Sequence, residues 1–299
     1  MENYVKNNFI KKIQNLYSIK VIFVTECGSR AYGLESKDSD YDLRFVYIQN
    51  EKDIYKEYFE KKLTTNIFEL SRVEKETVTG KFLLKDQTEI DWQGWDLTKA
   101  IKHLYEMNPS ICEWVYSRIV YYNNQNYQFQ QQAQFLIQSQ KRISPLLKHY
   151  RSMGKIHYED YVMGEDEVRV KKYAIVARCG IMVKWLIELE FEVFEKDLFN
   201  IEIFLVLNNI KNLVSRKKYK KLISLLNKKK ACHKDLTVGP DDSLDDWFKS
   251  VFYSTDLDYK KIKDSEDYND ESFKKYNKLL RNFLNKRFLK YFVFLFFHF

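Results

Sequence analysis

Apolar residues recur at helical spacing at the start of the chain and then give way to short, continuous apolar runs. In residues 4–17 the apolar positions fall three or four apart, which predicts an amphipathic helix. The β-branched run at 20–26 and the apolar run at 41–48 predict two strands. Residues 65–70 and 81–95 predict further strands, the second of them broken by a turn. The first part of the chain therefore alternates helix and sheet.

From residue 96 onward the pattern changes to helical spacing. Residues 96–107 carry an apolar stripe, and long helical patterns follow the glutamine-rich, polar segment 123–134. A total of 3 Pro and 8 Gly also favours long elements over ornate loops. We therefore predict an α+β fold with two regions: a sheet-containing domain at 1–122 and a helical domain at 123–299.

Charge is distributed unevenly between these two regions. The 299 residues carry a net charge of +8, but residues 1–122 sum to −1 and the remainder to +9. Nine Lys or Arg and no acidic residue occupy 211–230. A basic half of this kind suits a polyanion such as RNA. The candidate RNA contacts are Lys217, Lys218, Lys220 and Lys221, although a solvated face of an amphipathic helix explains the same lysines.

The two ends of the sequence bear on localisation. The apolar tail FLKYFVFLFFHF holds 12 residues, whereas a membrane-spanning helix needs about 20. We expect the tail to dock on the protein core. The first residues do not follow the pattern of a charged-then-apolar leader. The sequence therefore predicts a cytoplasmic protein with no membrane partner.

Scarce glycines and clustered carboxylates lie between the first two predicted strands. Asp40 and Asp42 stand two apart where the second strand begins, so strand alternation predicts that both face the same side. Two such carboxylates repel unless a cation sits between them, and hard oxygen ligands suit Mg²⁺ or Mn²⁺. Gly28 lets backbone amides approach a phosphate, Ser29 adds a hydroxyl, and Gly33 permits the sharp return. The stretch predicts a metal–nucleotide site.

This stretch also carries a family resemblance. GSRAYG followed by SDYDLRFVY resembles the signature of the DNA polymerase beta nucleotidyltransferase superfamily. Together with GWDLTKA, NPSICEWVYSRIVYY and VKKYAIVARCGIMVKWL, it is similar to the RNA-repair-pathway polymerase beta group, the YcgL-like or RlaP family, from about residue 20 to 190. The resemblance implies a small mixed sheet with flanking helices, a carboxylate triad, two Mg²⁺ or Mn²⁺ ions, and nucleotidyl transfer from an NTP.

The third carboxylate of such a triad must come from another strand. TEIDWQGWDL offers Glu89 and Asp91 on one face and Asp96 at a predicted helix N-cap. We favour Asp91 over Glu89 and assign a capping role to Asp96. Asp40, Asp42 and Asp91 are then the predicted catalytic residues and metal ligands.

The predicted nucleotide contacts come from both halves of the chain. Gly28, Ser29 and Arg30 lie in the loop, and the resemblance implies that a helix supplies Lys172 for the triphosphate and Tyr173 for the base. A basic and aromatic cluster at the start of an apolar helix is equally typical of a solvated helix end.

Three functions remain open at this point. The first is metal-dependent transfer of a nucleotide to an RNA end, tRNA included. The second keeps the same chemistry with a protein or small-molecule hydroxyl as acceptor. The third is a catalytically silent nucleotide-binding or partner-binding module, which would have no chemical need of Ser29, Asp40 and Asp42.

Overall fold

The computed structural model describes residues 1–49, 76–84, 86–140, 142–189, 200–231, 233, 235–253 and 278. The strand predicted at 65–70 and the apolar C-terminal tail lie outside the described residues.

A sheet preceded by a helix occupies the first part of the chain. The helix joins α1 (Glu2–Tyr4), a π-helical turn (Val5–Phe9) and α2 (Ile10–Tyr17). The described residues form five strands in one sheet: β1 (Ile19–Glu26), β2 (Tyr41–Gln49), β3 (Thr77–Leu83), β4 (Glu89–Asp96) and β5 (Val120–Asn123). Their spatial order is β3-β4-β2-β1-β5, with antiparallel pairing of β1 to β2, β1 to β5 and β3 to β4. The sequence missed the short edge strand β5.

Helices make up most of the rest of the described chain. They are α3 (Gly28–Ala31), α4 (Leu97–Tyr105), α5 (Pro109–Tyr116), α6 (Phe129–Gln140), α7 (Ser144–Tyr161), α8 (Val170–Leu189), α9 (Ile203–Asn209), α10 (Arg216–Ala231) and α11 (Asp242–Phe252). A small antiparallel ribbon joins β6 (Val168–Arg169) to β7 (Thr237–Val238). The helical pattern that follows the polar segment 123–134 is divided, because α6 ends at Gln140 and Pro145 lies in the first turn of α7.

The described residues divide into two compact units. Those in 1–26 and 42–140 form the sheet unit, and those in 27–41 and 142–253 form the helical unit. This division differs from the predicted regions 1–122 and 123–299. Strand β5 pairs with β1, and α6 packs on α4, α5 and β1, so the residues up to 140 belong with the sheet. The glycine-containing loop 27–41 groups with the helices instead.

The alternation predicted for β4 is confirmed. Ile90 and Trp92 are buried, whereas Glu89 and Asp91 are half-buried on the opposite face. The ring of Trp92 packs against Phe9, 6.3 Å between centroids, so the helix at the chain start covers the buried face. At β4, one face of the sheet is thus apolar, and the other is a polar face that carries Glu89 and Asp91.

The capping role predicted for Asp96 is also confirmed. Its buried carboxylate accepts a hydrogen bond from the backbone amide of Thr98 at 2.9 Å, which satisfies an amide at the start of α4.

The core of the helical unit depends on two glycines. Gly154 on α7 would place a Cβ atom 2.4 Å from the ring of Phe252, and Gly180 on α8 would place one 3.0 Å from the ring of Trp247. Both rings belong to α11, which can therefore lie directly against the backbones of α7 and α8. Within the described part of the chain, no helix is both long enough and apolar enough to span a membrane.

Candidate active site

Two of the predicted metal ligands converge on one arginine in the sheet unit. Asp42 lies at the start of β2 and Asp91 lies in β4, the neighbouring strand. The guanidinium of Arg44 places Nη1 3.0 Å from Asp91 Oδ1 and Nη2 3.7 Å from Asp42 Oδ1. The carboxylates are 32% and 37% exposed, so both are accessible from solvent. Asp42 and Asp91 thus share a cation on the polar face of the sheet.

A buried carboxylate holds the backbone of Asp42 in place. Glu26 is fully buried at the end of β1, and its Oε1 accepts the backbone N–H of Asp42 at 2.8 Å. Its Oε2 accepts the hydroxyl of Tyr121 at 2.6 Å. Sequence reasoning missed this role for both residues. The available signal was a lone acid at the end of an apolar strand, directly before the glycine-containing loop.

The two carboxylates considered for the third ligand have different partners. Asp91 meets Arg44, whereas Glu89 meets Lys81 at 2.6 Å. A cleft of about 260 Å³ opens beside Asp91 on the same face of the sheet. Its lining residues are Arg44, Thr79, Gly80, Lys81, Asp91, Trp92 and Gln93. Asp91, and not Glu89, therefore shares the Arg44 guanidinium with Asp42.

The glycine-containing loop has a fixed backbone path within the helical unit. Gly28 and Gly33 both adopt positive φ, 63° and 71°, which side chains with a Cβ rarely tolerate. Arg30 closes the loop, because its Nη2 donates to the carbonyl of Ser39 at 2.7 Å and its Nε donates to that of Asp40 at 3.2 Å. Arg30 is thus engaged in the loop itself, and its role as a nucleotide contact stays a prediction.

The position of Asp40 differs from the sequence expectation. Strand β2 begins at Tyr41, so Asp40 precedes the strand and belongs to the loop. The strand alternation that would align it with Asp42 does not extend to it. Its role as a metal ligand stays a prediction.

Helices α9 and α10 of the helical unit contact the glycine-containing loop 27–41. The amide of Ile203 donates to the carbonyl of Tyr32 at 3.0 Å, and the buried Lys229 donates to the carbonyl of Leu34 at 3.2 Å. The guanidinium of Arg178 stacks 3.7 Å from the ring of Tyr32. Lys229 was not singled out from the sequence, because it is one of nine basic residues in a single run.

Tyr173 lies in the core of the helical unit. It is 2% exposed, its ring packs on Phe248, and its hydroxyl contacts Asp245 Oδ1 at 3.3 Å and the amide of Asp241 at 3.1 Å. Burial raises the pKa of this phenol. A base could not stack on the ring in this conformation without displacing Phe248. Lys172 is half-buried, with its ammonium 3.7 Å from the centroid of the Tyr161 ring.

The four predicted RNA-contact lysines all lie on α10 but differ in their surroundings. Lys217 and Lys220 are exposed, and Lys218 is half-buried. Lys221 pairs with Asp241 at 2.6 Å, and Asp241 caps α11. Lys221 therefore has a structural partner, whereas Lys217 and Lys220 point to solvent.

The carboxylates of Asp42 and Asp91 are of the ligand type that divalent cations such as Mg²⁺ prefer. Within the described residues, no group of three or more His, Cys, Asp or Glu side chains is arranged to hold a metal ion. Asp42 and Asp91 nevertheless offer hard oxygen ligands on one face and already share a positive charge. Such ligands fit Mg²⁺ or Mn²⁺.

The fold class predicted from the sequence is confirmed: a mixed five-stranded sheet with flanking helices, followed by a helical region. The sequence profile described as the RNA repair pathway DNA polymerase beta family (RlaP) matches residues 1–282. The chain therefore belongs to this RNA repair pathway DNA polymerase beta family, as the resemblance indicates.

Two individual proteins are also similar to this chain, but they support fewer conclusions than the family match. The uncharacterized protein YcgL of Bacillus subtilis (strain 168) is 30% identical over 177 residues, which cover 59% of this chain and 60% of YcgL. The matched region therefore spans less than two thirds of that relative. A nucleotidyltransferase-like protein from Exiguobacterium sibiricum 255-15 is 10% identical, with a TM-score of 0.29 over 96% of this chain and 78% of that chain. A likeness this weak supports no conclusion.

Proposed function

We propose that the protein is a metal-dependent nucleotidyltransferase that transfers NMP from an NTP to a hydroxyl at an RNA end and releases pyrophosphate. The observation that carries the proposal is the convergence of Asp42 and Asp91, from neighbouring strands, on one cation. Membership of the RNA repair pathway family supports the reaction class.

Each predicted residue has a defined task in this reaction. Asp40, Asp42 and Asp91 would hold Mg²⁺ or Mn²⁺, and Asp91 could accept the proton of the attacking hydroxyl. Bound divalent ions would lower the pKa of that hydroxyl and neutralise charge on the triphosphate. Gly28 and Ser29 would hold phosphate oxygens through the backbone and a hydroxyl. The carboxylate of Glu26 keeps the backbone of Asp42 in position through the hydrogen bond at 2.8 Å.

An RNA acceptor is favoured over a protein or a small molecule by two observations. The family is described by its RNA repair pathway. Charge on the chain beyond residue 122 sums to +9, and α10 carries lysines that face solvent. A polyanionic acceptor gains most from such a surface.

The test is a labelling screen with each of the four NTPs, Mg²⁺ or Mn²⁺, and either total RNA or total protein. We expect label in the RNA fraction, and no label with Asp42→Asn or Asp40→Asn. Label in the protein fraction alone would overturn the RNA acceptor while leaving nucleotidyl transfer intact. Absence of label from every fraction would overturn the transferase proposal.

A matched control is available in the same loop. Asp38 is an exposed loop carboxylate that pairs with His233 at 3.0 Å. Asp38→Asn should label RNA at the parent rate. An equal loss in Asp38→Asn and Asp40→Asn would show that general loop charge, rather than a ligand role, explains the effect.

A further inference from the structure

The guanidinium of Arg44 is held by two hydrogen bonds and one longer ion pair on the polar face of the sheet. Nη1 donates to the carbonyl of Leu43 and to Asp91 Oδ1, both at 3.0 Å, while Nη2 lies 3.7 Å from Asp42 Oδ1. The side chain is 19% exposed, less than either carboxylate. The position of Arg44 is therefore fixed by its contacts with Leu43, Asp91 and Asp42, unlike that of a fully exposed surface cation.

Electrostatics explains why a cation is needed at this point. Carboxylates from neighbouring strands on one face repel each other, and the strand backbones prevent them from moving far apart. Arginine suits the position because its planar fork can present separate N–H groups to two acceptors. A single guanidinium neutralises one of the two negative charges and leaves an excess negative charge at the site.

The surroundings give the guanidinium a place to move. The cleft of about 260 Å³ beside Asp91 is lined by Arg44 itself, together with Thr79, Lys81 and Gln93. Because Arg44 and Asp91 both line this cleft, the space beside the guanidinium is open to solvent rather than filled by other side chains.

We propose that Arg44 is a built-in counter-ion for Asp42 and Asp91, and that a divalent cation binds these carboxylates by displacing it. This inference rests on the proposed metal-dependent function. In the metal-free protein Arg44 holds the carboxylates together; on metal binding it competes with the ion. Arg44 is thus a positioning residue that lowers metal affinity and keeps the ligands assembled.

The test measures Mn²⁺ binding directly, by the loss of the free Mn²⁺ electron paramagnetic resonance signal on titration with protein and no nucleotide. Arg44→Gln should bind Mn²⁺ roughly three- to tenfold more tightly than the parent. Arg44→Lys keeps the charge but loses the fork, so its affinity should lie between the two. The matched control is Lys6→Gln, which removes a cation that pairs with Glu2 at 2.6 Å elsewhere in the sheet unit, and it should bind Mn²⁺ like the parent.

The outcomes separate the two proposals. Unchanged or weaker Mn²⁺ binding by Arg44→Gln and Arg44→Lys, with binding by the parent intact, would overturn the counter-ion role alone. No Mn²⁺ binding by the parent or by any variant would overturn the metal-dependent function, and the counter-ion role with it. Tighter binding that disappears in the double variant Asp42→Asn/Arg44→Gln would place the ion at these carboxylates and support the inference. Circular dichroism of each metal-free variant shows whether it is folded.

Discussion

Asp42 and Asp91 of the sheet unit and Tyr173 of the helical unit, all predicted site residues, lie in opposite environments. On the sheet, Asp42 and Asp91 are about a third exposed and share Arg44. In the helical unit, Tyr173 is 2% exposed and its hydroxyl is used within the core. A strand with one apolar face directs its polar residues outward by simple alternation, whereas α8 is apolar around most of its circumference and offers no such guide.

The strongest test of this contrast compares two carboxylates of one strand. Asp91→Asn should lower nucleotidyl transfer by at least about 100-fold, because loss of a ligand charge removes several kcal/mol of transition-state stabilisation. Glu89→Gln should stay within about threefold of the parent, because Glu89 pairs with an exposed lysine. Initial rates with labelled NTP measure both. The reverse order of effects would assign the third ligand to Glu89.

The second test concerns the core position in the helical unit. Tyr173→Ala should lower the free energy of unfolding by about 3–5 kcal/mol, as for other buried aromatic residues. Tyr173→Phe should cost about 1 kcal/mol, because only the hydroxyl contacts are lost. Urea unfolding measures the change, with Tyr161→Ala, a 40% exposed aromatic of the same unit, as the control. Weaker NTP binding by Tyr173→Ala at undiminished stability would instead support the nucleotide role.

The third test asks whether the helical unit carries the RNA surface. The double variant Lys217→Glu/Lys220→Glu should bind RNA more weakly and reduce the slope of log affinity against log salt by about 1.4. Lys221 is left intact because its partner, Asp241, caps α11.

The control for this test lies on the sheet unit. Lys11→Glu/Lys12→Glu makes the same charge change on α2. Equal salt slopes in both double variants would mean that net charge, and not a surface on α10, governs RNA binding.

The smallest expected effect is on pH-dependent stability. Burial lowers the pKa of His157, aided by the charge of Lys172, so the folded state binds a proton less readily than the unfolded chain. Stability from this group is complete above the unfolded pKa, about 6.5, and is lost as pH falls below it toward the folded pKa. Thermal melts between pH 7 and 5 should therefore shift less for His157→Gln than for the parent. Equal shifts in His157→Gln and in the parent would contradict this role of His157.

The sequence predicted the strands of the site well because their patterns are local. The half-buried face of Asp91 follows from strand alternation in β4, and the cap at Asp96 follows from its position before an apolar helix. The alternation predicted for Asp40 and Asp42 does not hold, because β2 begins at Tyr41. Arg44 lies within the stretch SDYDLRFVY, but its local pattern predicts no role for it, because a cation on a strand usually faces solvent. The contact of Arg44 with Asp91 exists only because β4 lies beside β2 in the sheet. These two residues are 47 positions apart in the sequence, so no local pattern could predict the contact.

The boundary between the sheet unit and the helical unit was also hard to predict, because it depends on contacts between residues that are distant in the sequence. Strand β5 has four residues, too few for a clear period, and joins the sheet only through its pairing with β1. The loop 27–41 is polar and rich in turns, yet its contacts to Ile203 and Lys229 come from residues about 170 or more positions away.

The glycines beneath α11 have a consequence for engineering the protein. Replacing a glycine inside a helix with alanine is a standard route to a more heat-resistant protein, with a usual gain of about 1 kcal/mol. At Gly154 the same change would drive a methyl group to 2.4 Å from the ring of Phe252 and 2.8 Å from Cys179 Cβ. A design procedure guided by helix propensity alone would thus choose Gly154→Ala, a substitution that pushes α11 away from α7 and α8.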